Sequence, residues 1–415
     1  MQCQETTAVA EEEEKGGALM EKKLKKKTLL FLPHELIIQI LMRLPVKSLL
    51  RFKCVCKLWF SLISNPHFAN SHFQLSSATP TRRILLMSSL LPRESRSIDL
   101  EAASSLDDYT ASVSLNPNFM PFQSYSHIEV KCSCRGFILL HCYSQMMLNI
   151  YLWNPSTGFH KKIPLSPFVQ HYHDFYGFGY DQSKDDYLLV SLSYHHLEVF
   201  SLRANAWEEI VATARLPFGR DDSSAAARPV VELLFNGSIH WMARCRDIYV
   251  IHTVIVAFHL TERKLLEIPL PVDINYNSSQ CDLWVFKGFL SLWVSGYNTT
   301  VDIWVMKEYQ VHSSWSKTLV LTNDFFHYIS PICCTKRGDI IGKGGGTGTE
   351  REFHLSLYTA PLEHNPYSHT ARGLVKYNDK GELLDHNPYD HTARGFHLTM
   401  YTESLLSLPS DIEQA

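Results

Sequence analysis

A small all-α module followed by a larger all-β, propeller-like domain is what this 415-residue sequence predicts. Three observations predict it. Apolar residues recur at helical spacing between about Leu32 and Phe73. From about Thr81 onward that period disappears and short β-rich runs replace it. Those runs repeat one strand–turn–strand pattern every 45 to 70 residues or so, roughly the spacing of four-stranded propeller blades with loop insertions.

The helical stretch has its own punctuation. Pro33 suits a first helical position, where its missing N–H costs nothing. Leu36, Ile37, Ile40, Leu41 and Leu44 then form one apolar stripe. Pro45 stops that helix, because the residue before a proline is steered away from the α region. A second run, Leu49, Leu50, Phe52, Val55, Cys56, Trp59, Leu62 and Ile63, keeps helical spacing until Asn65-Pro66 ends it. A segment of about forty residues rarely buries enough apolar surface to fold well alone, so this module is expected to complete its core against something else. Periodicity by itself leaves an ordinary helical hairpin inside a larger core equally open.

Residue identity goes further. The order Leu32-Pro33, Glu35-Leu36, Ile40-Leu41, Arg43-Leu44-Pro45-Val46-Lys47-Ser48-Leu49, Phe52, Val55-Cys56-Lys57, Trp59 and Ile63 resembles the F-box. The resemblance implies a three-helix module over residues 29–73 that docks on a Skp-type adaptor of cullin–RING ubiquitin ligases. It draws the adaptor-facing positions from Leu32, Pro33, Leu36, Ile40, Leu44, Pro45, Val46, Leu49, Phe52 and Val55, some of which must instead hold the helices together. Trp59 and Ile63 are assigned to the internal core. Arg43, Lys47, Arg51, Lys53 and Lys57 are assigned to a solvated face.

The β-rich part repeats a strand, a polar turn and a second strand. Copies run over Ile150–Ile163, Leu197–Ile210, Val254–Ile268, Val301–Leu319 and Leu374–Leu384. Further strands fall between them, at Gly177–Tyr180, Tyr187–Leu192 and Val231–Trp241. With a diverged first blade over about Arg82–Phe122, the count reaches six, with five or seven open. Radial packing would leave only short, protected strand edges, and a pair of two-sheet sandwiches is the rival fold. Met400–Pro409 can supply a last strand that closes the ring against the first blade. Ser133–Leu140, Leu152-Trp-Asn-Pro-Ser-Thr-Gly158, Phe178-Gly-Tyr-Asp181, Leu234–Trp241 and Val301–Lys307 resemble the F-box-associated, kelch-like region of the large plant F-box family. The glycine pair of strict kelch repeats is missing. The division expected is a charged tail over 1–28, the F-box over 29–73, and a linker with the diverged first blade over 74–126. The kelch-like propeller domain follows over 127–408, with a tail over 409–415. The decapeptide His364–Gly373 recurs almost letter for letter as His386–Gly395, read as a short duplication in an exposed loop.

Composition narrows the function classes. A hydrophobic share of 45% with 20% charged residues is that of a folded protein, and a net charge of −3 gives no general pull toward nucleic acid or membrane. Glu11–Glu14 and Lys22–Lys27 form a charge-blocked, solvating tail. No apolar stretch precedes a cleavage site, so no secretory signal is expected. The ten cysteines then read as reduced, largely buried thiols. Cys132/Cys134 and Cys333/Cys334 lack the C-x-x-C spacing of a zinc site.

Catalytic patterns break on inspection. Gly338–Lys343 is one residue short of a phosphate loop, and Lys343 precedes Gly344 rather than Ser or Thr. Gly344–Gly348 reads as a flexible loop. His171/His173 and His195/His196 sit in no H-E-x-x-H frame. Asp185-Asp186 reads as a turn. No metal and no cofactor is therefore expected.

The resemblance implies the substrate-recognition subunit of an SCF-type (Skp–cullin–F-box) E3 ubiquitin ligase, with no bond chemistry of its own. Its partners would be the Skp-type adaptor, through it cullin and RING protein, and a target protein held by the β domain. Nucleic acid and membrane are not expected as partners, and the cytoplasm or nucleus is the expected location. Two other classes stand beside it: a propeller enzyme or carbohydrate-binding module with a helical leader, and a non-degradative Skp-binding scaffold.

Overall fold

The computed structural model describes residues 33–76, 82–88, 94–99, 112–115, 117, 119, 125, 127–144, 147–167, 175–193, 196–212, 218–219, 232–246, 251–272, 274, 280–295, 300–322, 328–345, 373–388 and 396–408. The chain divides into two compact units, Met1–Ile63 and Ser64–Ala415.

Four short helices open the described chain: α1 (His34–Leu41), α2 (Val46–Phe52), α3 (Lys57–Ser64) and α4 (Pro66–Ser76). Pro33 and Pro45 do the same work at the starts of α1 and α2. The carbonyl of Pro33 accepts from the amides of Leu36 (3.0 Å) and Ile37 (3.2 Å), and that of Pro45 from Ser48 (2.9 Å) and Leu49 (3.1 Å). The single second run expected from periodicity is two helices. Cys56 interrupts it by capping α3: its carbonyl accepts from the amide of Phe60 (3.0 Å) and its Sγ faces the amide of Trp59 (3.5 Å). Asn65-Pro66 does end α3, and it also begins a fourth helix that the three-helix expectation lacks. Asn65 Oδ1 accepts from the amide of His67 at 2.8 Å, an N-cap followed by proline in the first turn.

Six antiparallel sheets follow. The first contains β1 (Arg82–Ser88), β2 (Ser95–Asp99) and β3 (Ser112–Leu115), and the second β4 (His127–Cys134), β5 (Phe137–Ser144), β6 (Met147–Trp153) and β7 (His160–Ile163). The third is β8 (Phe175–Asp181), β9 (Asp186–Leu192), β10 (His196–Ser201) and β11 (Ala206–Ala212). The fourth holds β12 (Phe218–Gly219), β13 (Leu233–Phe235), β14 (Ser238–Arg246), β15 (Ile251–His259) and β16 (Lys264–Ile268). The fifth is β17 (Gln280–Phe286), β18 (Phe289–Ser295), β19 (Thr300–Met306) and β20 (Trp315–Thr322). The sixth is β21 (Tyr328–Cys334), β22 (Ile340–Gly345), β23 (Gly373–Tyr377) and β24 (Leu383–Pro388).

The last strand, β25 (Phe396–Thr402), returns to the first sheet and pairs along the whole of β1, from Arg82↔Thr402 to Ser88↔Phe396. Neighbouring blades touch in cyclic order, β25 to β4, β4 to β8, β8 to β13 and β14, these two to β17, β17 to β21 and β21 back to β25. This is a closed six-bladed propeller. The strand–turn–strand copies in the sequence are the two outer strands of blades two to six. The C-terminal part does close the ring against the first blade, but through Phe396–Thr402, which shares only Met400–Thr402 with the expected Met400–Pro409.

Two local readings change. Val231–Trp241 is not one strand, because Asn236 (φ 46°) and Gly237 (φ 68°) form a tight turn between β13 and β14. Gly344 and Gly345 lie in β22 rather than in a loop. Gly344 pairs with Ile329 on one side and Gly373 on the other, so ladder bonds hold a strand that its side chains do not favour.

The core lies in layers between blades. Phe175, Val190, Trp241 and Val256 belong to one buried cluster between blades three and four, and Trp284, Ile303, Ile340 and Tyr377 to another between blades five and six. A β-carbon at Gly177 would come within 2.5 Å of Ile239 and 2.8 Å of Trp241, so the close approach of blade four requires glycine there. Blades are also tethered at their rims. Trp207 Nε1 donates to the carbonyl of Pro164 (2.8 Å) and Trp315 Nε1 to that of Pro269 (3.1 Å), each reaching from an outer strand to the end of the preceding blade.

Candidate functional site

In the helical unit, the resemblance-derived positions separate by burial. Leu36 (45% exposed) and Ile40 (50%) stand one turn apart on α1, and Val55 (60%) stands in the turn before α3. Pro33 and Pro45 are exposed, and Leu44 and Phe52 are half-buried. Val46 and Leu49 are buried, as are Leu41 and Ile63. Phe52 packs its ring 5.2 Å from that of Trp59. Leu32 lies outside the described residues. Leu58 and Phe60 are also exposed, and sequence reasoning passed over both. The signal was available: they fall off the Trp59–Ile63 stripe of α3, where an apolar side chain has no core to join. Cys54 and Cys56 are exposed as well, contrary to the expectation of largely buried thiols, whereas Cys132, Cys134, Cys142 and Cys333 are buried. Of the five basic residues assigned to solvent, Lys53 is half-buried, and burial lowers its pKa.

In the second unit, α4 is fastened to the propeller through Arg135, which sits at φ 50° in the β4–β5 turn. Its guanidinium carbon lies 3.9 Å from the Tyr180 ring centre and 4.8 Å from that of Phe73 on α4. Nη2 donates to Asn70 Oδ1 (3.0 Å) and Nε to the Tyr187 hydroxyl (3.3 Å). One planar cation thus joins a helix and two strands of blade three.

The propeller axis holds a cavity of about 850 Å³ walled by β4, β13, β17, β21 and β25. Glu129 is the hub of one part of this wall. It accepts from Lys131 Nζ (2.7 Å) and the Tyr143 hydroxyl (3.3 Å), and it pairs with His127 Nε2 (3.3 Å). Burial alone would raise its pKa, but Lys131 and His127 hold the carboxyl well below the usual carboxylate range. Glu232, just before β13, behaves oppositely. Burial pushes it up to about 7 against the pull of Lys131 and a hydrogen bond with Cys132. Burial also takes His397 down to about 3, with His127, Lys343 and Lys131 pushing the same way against Glu129. Among the described residues, no group of three or more His, Cys, Asp or Glu is placed to hold a metal ion. His196, one of the tempting histidines, instead pairs with Glu209 at 2.7 Å. Most of both copies of the duplicated decapeptide lies outside the described residues. The register Gly373↔Pro388 sets the end of one copy opposite the start of the other.

A helical module joined to a closed six-bladed propeller defines a two-part protein whose larger part is a ring. The chain belongs to the F-box associated beta propeller domain family, whose model matches residues 81–337. An F-box-like model matches residues 29–74. The chain is similar to an F-box/kelch-repeat protein of Arabidopsis thaliana, at 29% identity over 69% of this chain and 79% of that one. It is similar to the F-box protein CPR1 of the same plant at 27% identity, over 74% and 77% of the two chains. A third Arabidopsis F-box protein is 26% identical over 80% of this chain and 86% of its own. Among solved structures, TolB from Acinetobacter baumannii aligns at 10% identity with a TM-score of 0.44, covering 81% of this chain and 72% of TolB, too distant to bear on function.

Proposed function

We propose that this protein is the substrate receptor of an SCF-type E3 ubiquitin ligase. Its N-terminal helices dock on a Skp-type adaptor, and through it on cullin and a RING protein. The propeller holds a target protein for ubiquitination. The observation that carries the reading is the union, in one chain, of an F-box-like module with an F-box associated propeller, the first of which leaves Leu36, Ile40 and Val55 uncovered. Interface energy concentrates in a few apolar anchors that become fully desolvated, and these three are available without disturbing the buried Leu41, Val46, Leu49 and Ile63. On this reading the chain performs no bond chemistry. It raises the effective concentration of target lysines near a ubiquitin-loaded partner, in the cytoplasm or nucleus.

The test is co-purification of the full chain with a purified Skp-type adaptor, comparing wild type with Leu36→Asp/Ile40→Asp. Both positions are exposed, so the variant is expected to fold normally and to lose adaptor capture by at least about tenfold, the usual scale of central anchors. Undiminished capture by the folded variant would overturn the docking assignment.

A further inference from the structure

We propose that the axial channel of the propeller is a binding site for a small organic anion, a molecule with an apolar body and one carboxylate, sulfonate or phosphate group. At about 850 Å³ the channel lies within the range of pockets that take small molecules. Its described lining sets four lysines, Lys131, Lys287, Lys336 and Lys343, against three carboxyls, Glu129, Glu232 and Asp282. The excess is therefore positive, and it grows by one charge whenever Glu232 is protonated. Low-dielectric walls focus such an excess on whatever enters.

The unsatisfied groups of the wall choose the same ligand. Trp284 is 3% exposed, and its indole Nε1, a donor with no accepting capacity, has no hydrogen-bond partner. Glu232 is 6% exposed, and its Oε1 has none either. Buried polar atoms without partners are few in folded proteins and call for an explanation. An indole N–H, lysine ammoniums and a protonated carboxyl are all donors, so their common complement is an acceptor-rich group. Val130, Val285, Ile332 and Leu398, half-buried residues of the lining, suit an apolar body.

This arrangement ties anion binding to one proton. Glu232 is faced by Lys131 and Cys132 of β4, with Glu129 on the same strand, and Asp282, Lys343 and His397 share its cavity. An arriving anion repels the ionised form of Glu232 and is welcomed by the neutral one. With Glu232 titrating at about 7, the competent fraction falls roughly tenfold between pH 6 and pH 8, and apparent affinity falls with it.

The experiment uses the full chain and 2-naphthalenesulfonate, which keeps its charge over this pH range, in isothermal titration at pH 6 and pH 8. Its neutral isostere 2-naphthalenesulfonamide is the control. The expected result is saturable one-to-one binding, roughly tenfold tighter at pH 6 and at least about tenfold tighter than the sulfonamide. Lys343→Met should weaken it by about tenfold, and Glu232→Gln should bind equally at both pH values. Absence of saturable binding by wild type, or equal binding of sulfonate and sulfonamide, overturns the proposal. So does an unchanged pH dependence in Glu232→Gln. The wild-type comparisons decide the question even where a variant fails to fold.

Discussion

Asn154, at the tip of the outer hairpin of blade two, grips Ser404 from the far end of the chain. Its Nδ2 donates to the Ser404 carbonyl and hydroxyl, both at 3.2 Å, and to the Leu406 carbonyl at 3.3 Å. Its Oδ1 accepts from the Ser156 amide at 2.9 Å, so the side chain is fixed at both ends. Asn154 is fully buried. The ring is thus closed twice, by the β25–β1 ladder and by this clasp one blade further on. Removing one partner of a buried hydrogen bond costs about 1–3 kcal/mol. Asn154→Ala should therefore lower the urea midpoint by that order, and Asn154→Asp, which turns an acceptor toward acceptors, should lower it more. A midpoint unchanged in both would dismiss the clasp.

Gly136 bears on the same segment. It holds φ 89°, and a β-carbon there would stand 2.1 Å from Ser404 Oγ and 2.9 Å from the Thr402 carbonyl. Backbone does not yield as a side-chain tip does, so Gly136→Ala combines positive-φ strain with a clash. Its cost should reach at least that of Asn154→Ala. Limited proteolysis should then release the segment after β25 faster than in wild type.

Arg135 should tolerate no conservative replacement. A lysine can keep the charge, but it cannot stack a plane on Tyr180 and Phe73 while donating to Asn70 and Tyr187. Arg135→Lys and Arg135→Ala are expected to expose α4 to hydrogen exchange to a similar degree, with the propeller strands unaffected. Protection of α4 restored fully by lysine would show that charge alone matters.

Much of this was legible in the sequence for identifiable reasons. Strand–turn–strand copies survived because outer hairpins need polar turns between apolar strands, and that grammar is local. The closing strand was legible only in part: the expected Met400–Pro409 shares three residues with the strand Phe396–Thr402, because the apolar Leu405, Leu406 and Leu408 are buried without joining a ladder. The fourth helix was missed because Asn65-Pro66 is both a stop for one helix and a cap for the next. The channel was missed for a deeper reason. Glu129, Glu232, Lys343 and His397 come from strands up to 268 positions apart in the chain, and only ring closure makes them neighbours. Leu36, Ile40 and Val55 could be named from their resemblance, but not separated from Val46 and Leu49, because helical spacing alone gives an apolar residue no address.

The buried titratable groups set opposing pH slopes, and their number decides the sign. Burial keeps His141 well below its ordinary 6.5, takes His240 to about 4 and His397 to about 3. On unfolding, each regains an ordinary histidine's affinity for protons, so each contributes stability that is lost as pH falls below about 6.5. Glu232 acts the other way. Its folded value of about 7 exceeds the ordinary 4.5, so the stability it contributes is complete below 4.5 and gone above 7. Burial raises the pKa of Glu198 as well, so three protons stand against at most two, and stability should fall on acidification from pH 6.5 to 5 by roughly 2 kcal/mol per pH unit at the steepest. Glu232→Gln removes its own opposing contribution. Relative to wild type it should gain on the order of 3 kcal/mol between pH 4 and pH 8, becoming the more stable protein at the alkaline end. Urea midpoints at pH 5, 6.5 and 8 measure both effects. A variant that parallels wild type at all three would mean that Glu232 is ionised in the folded ring.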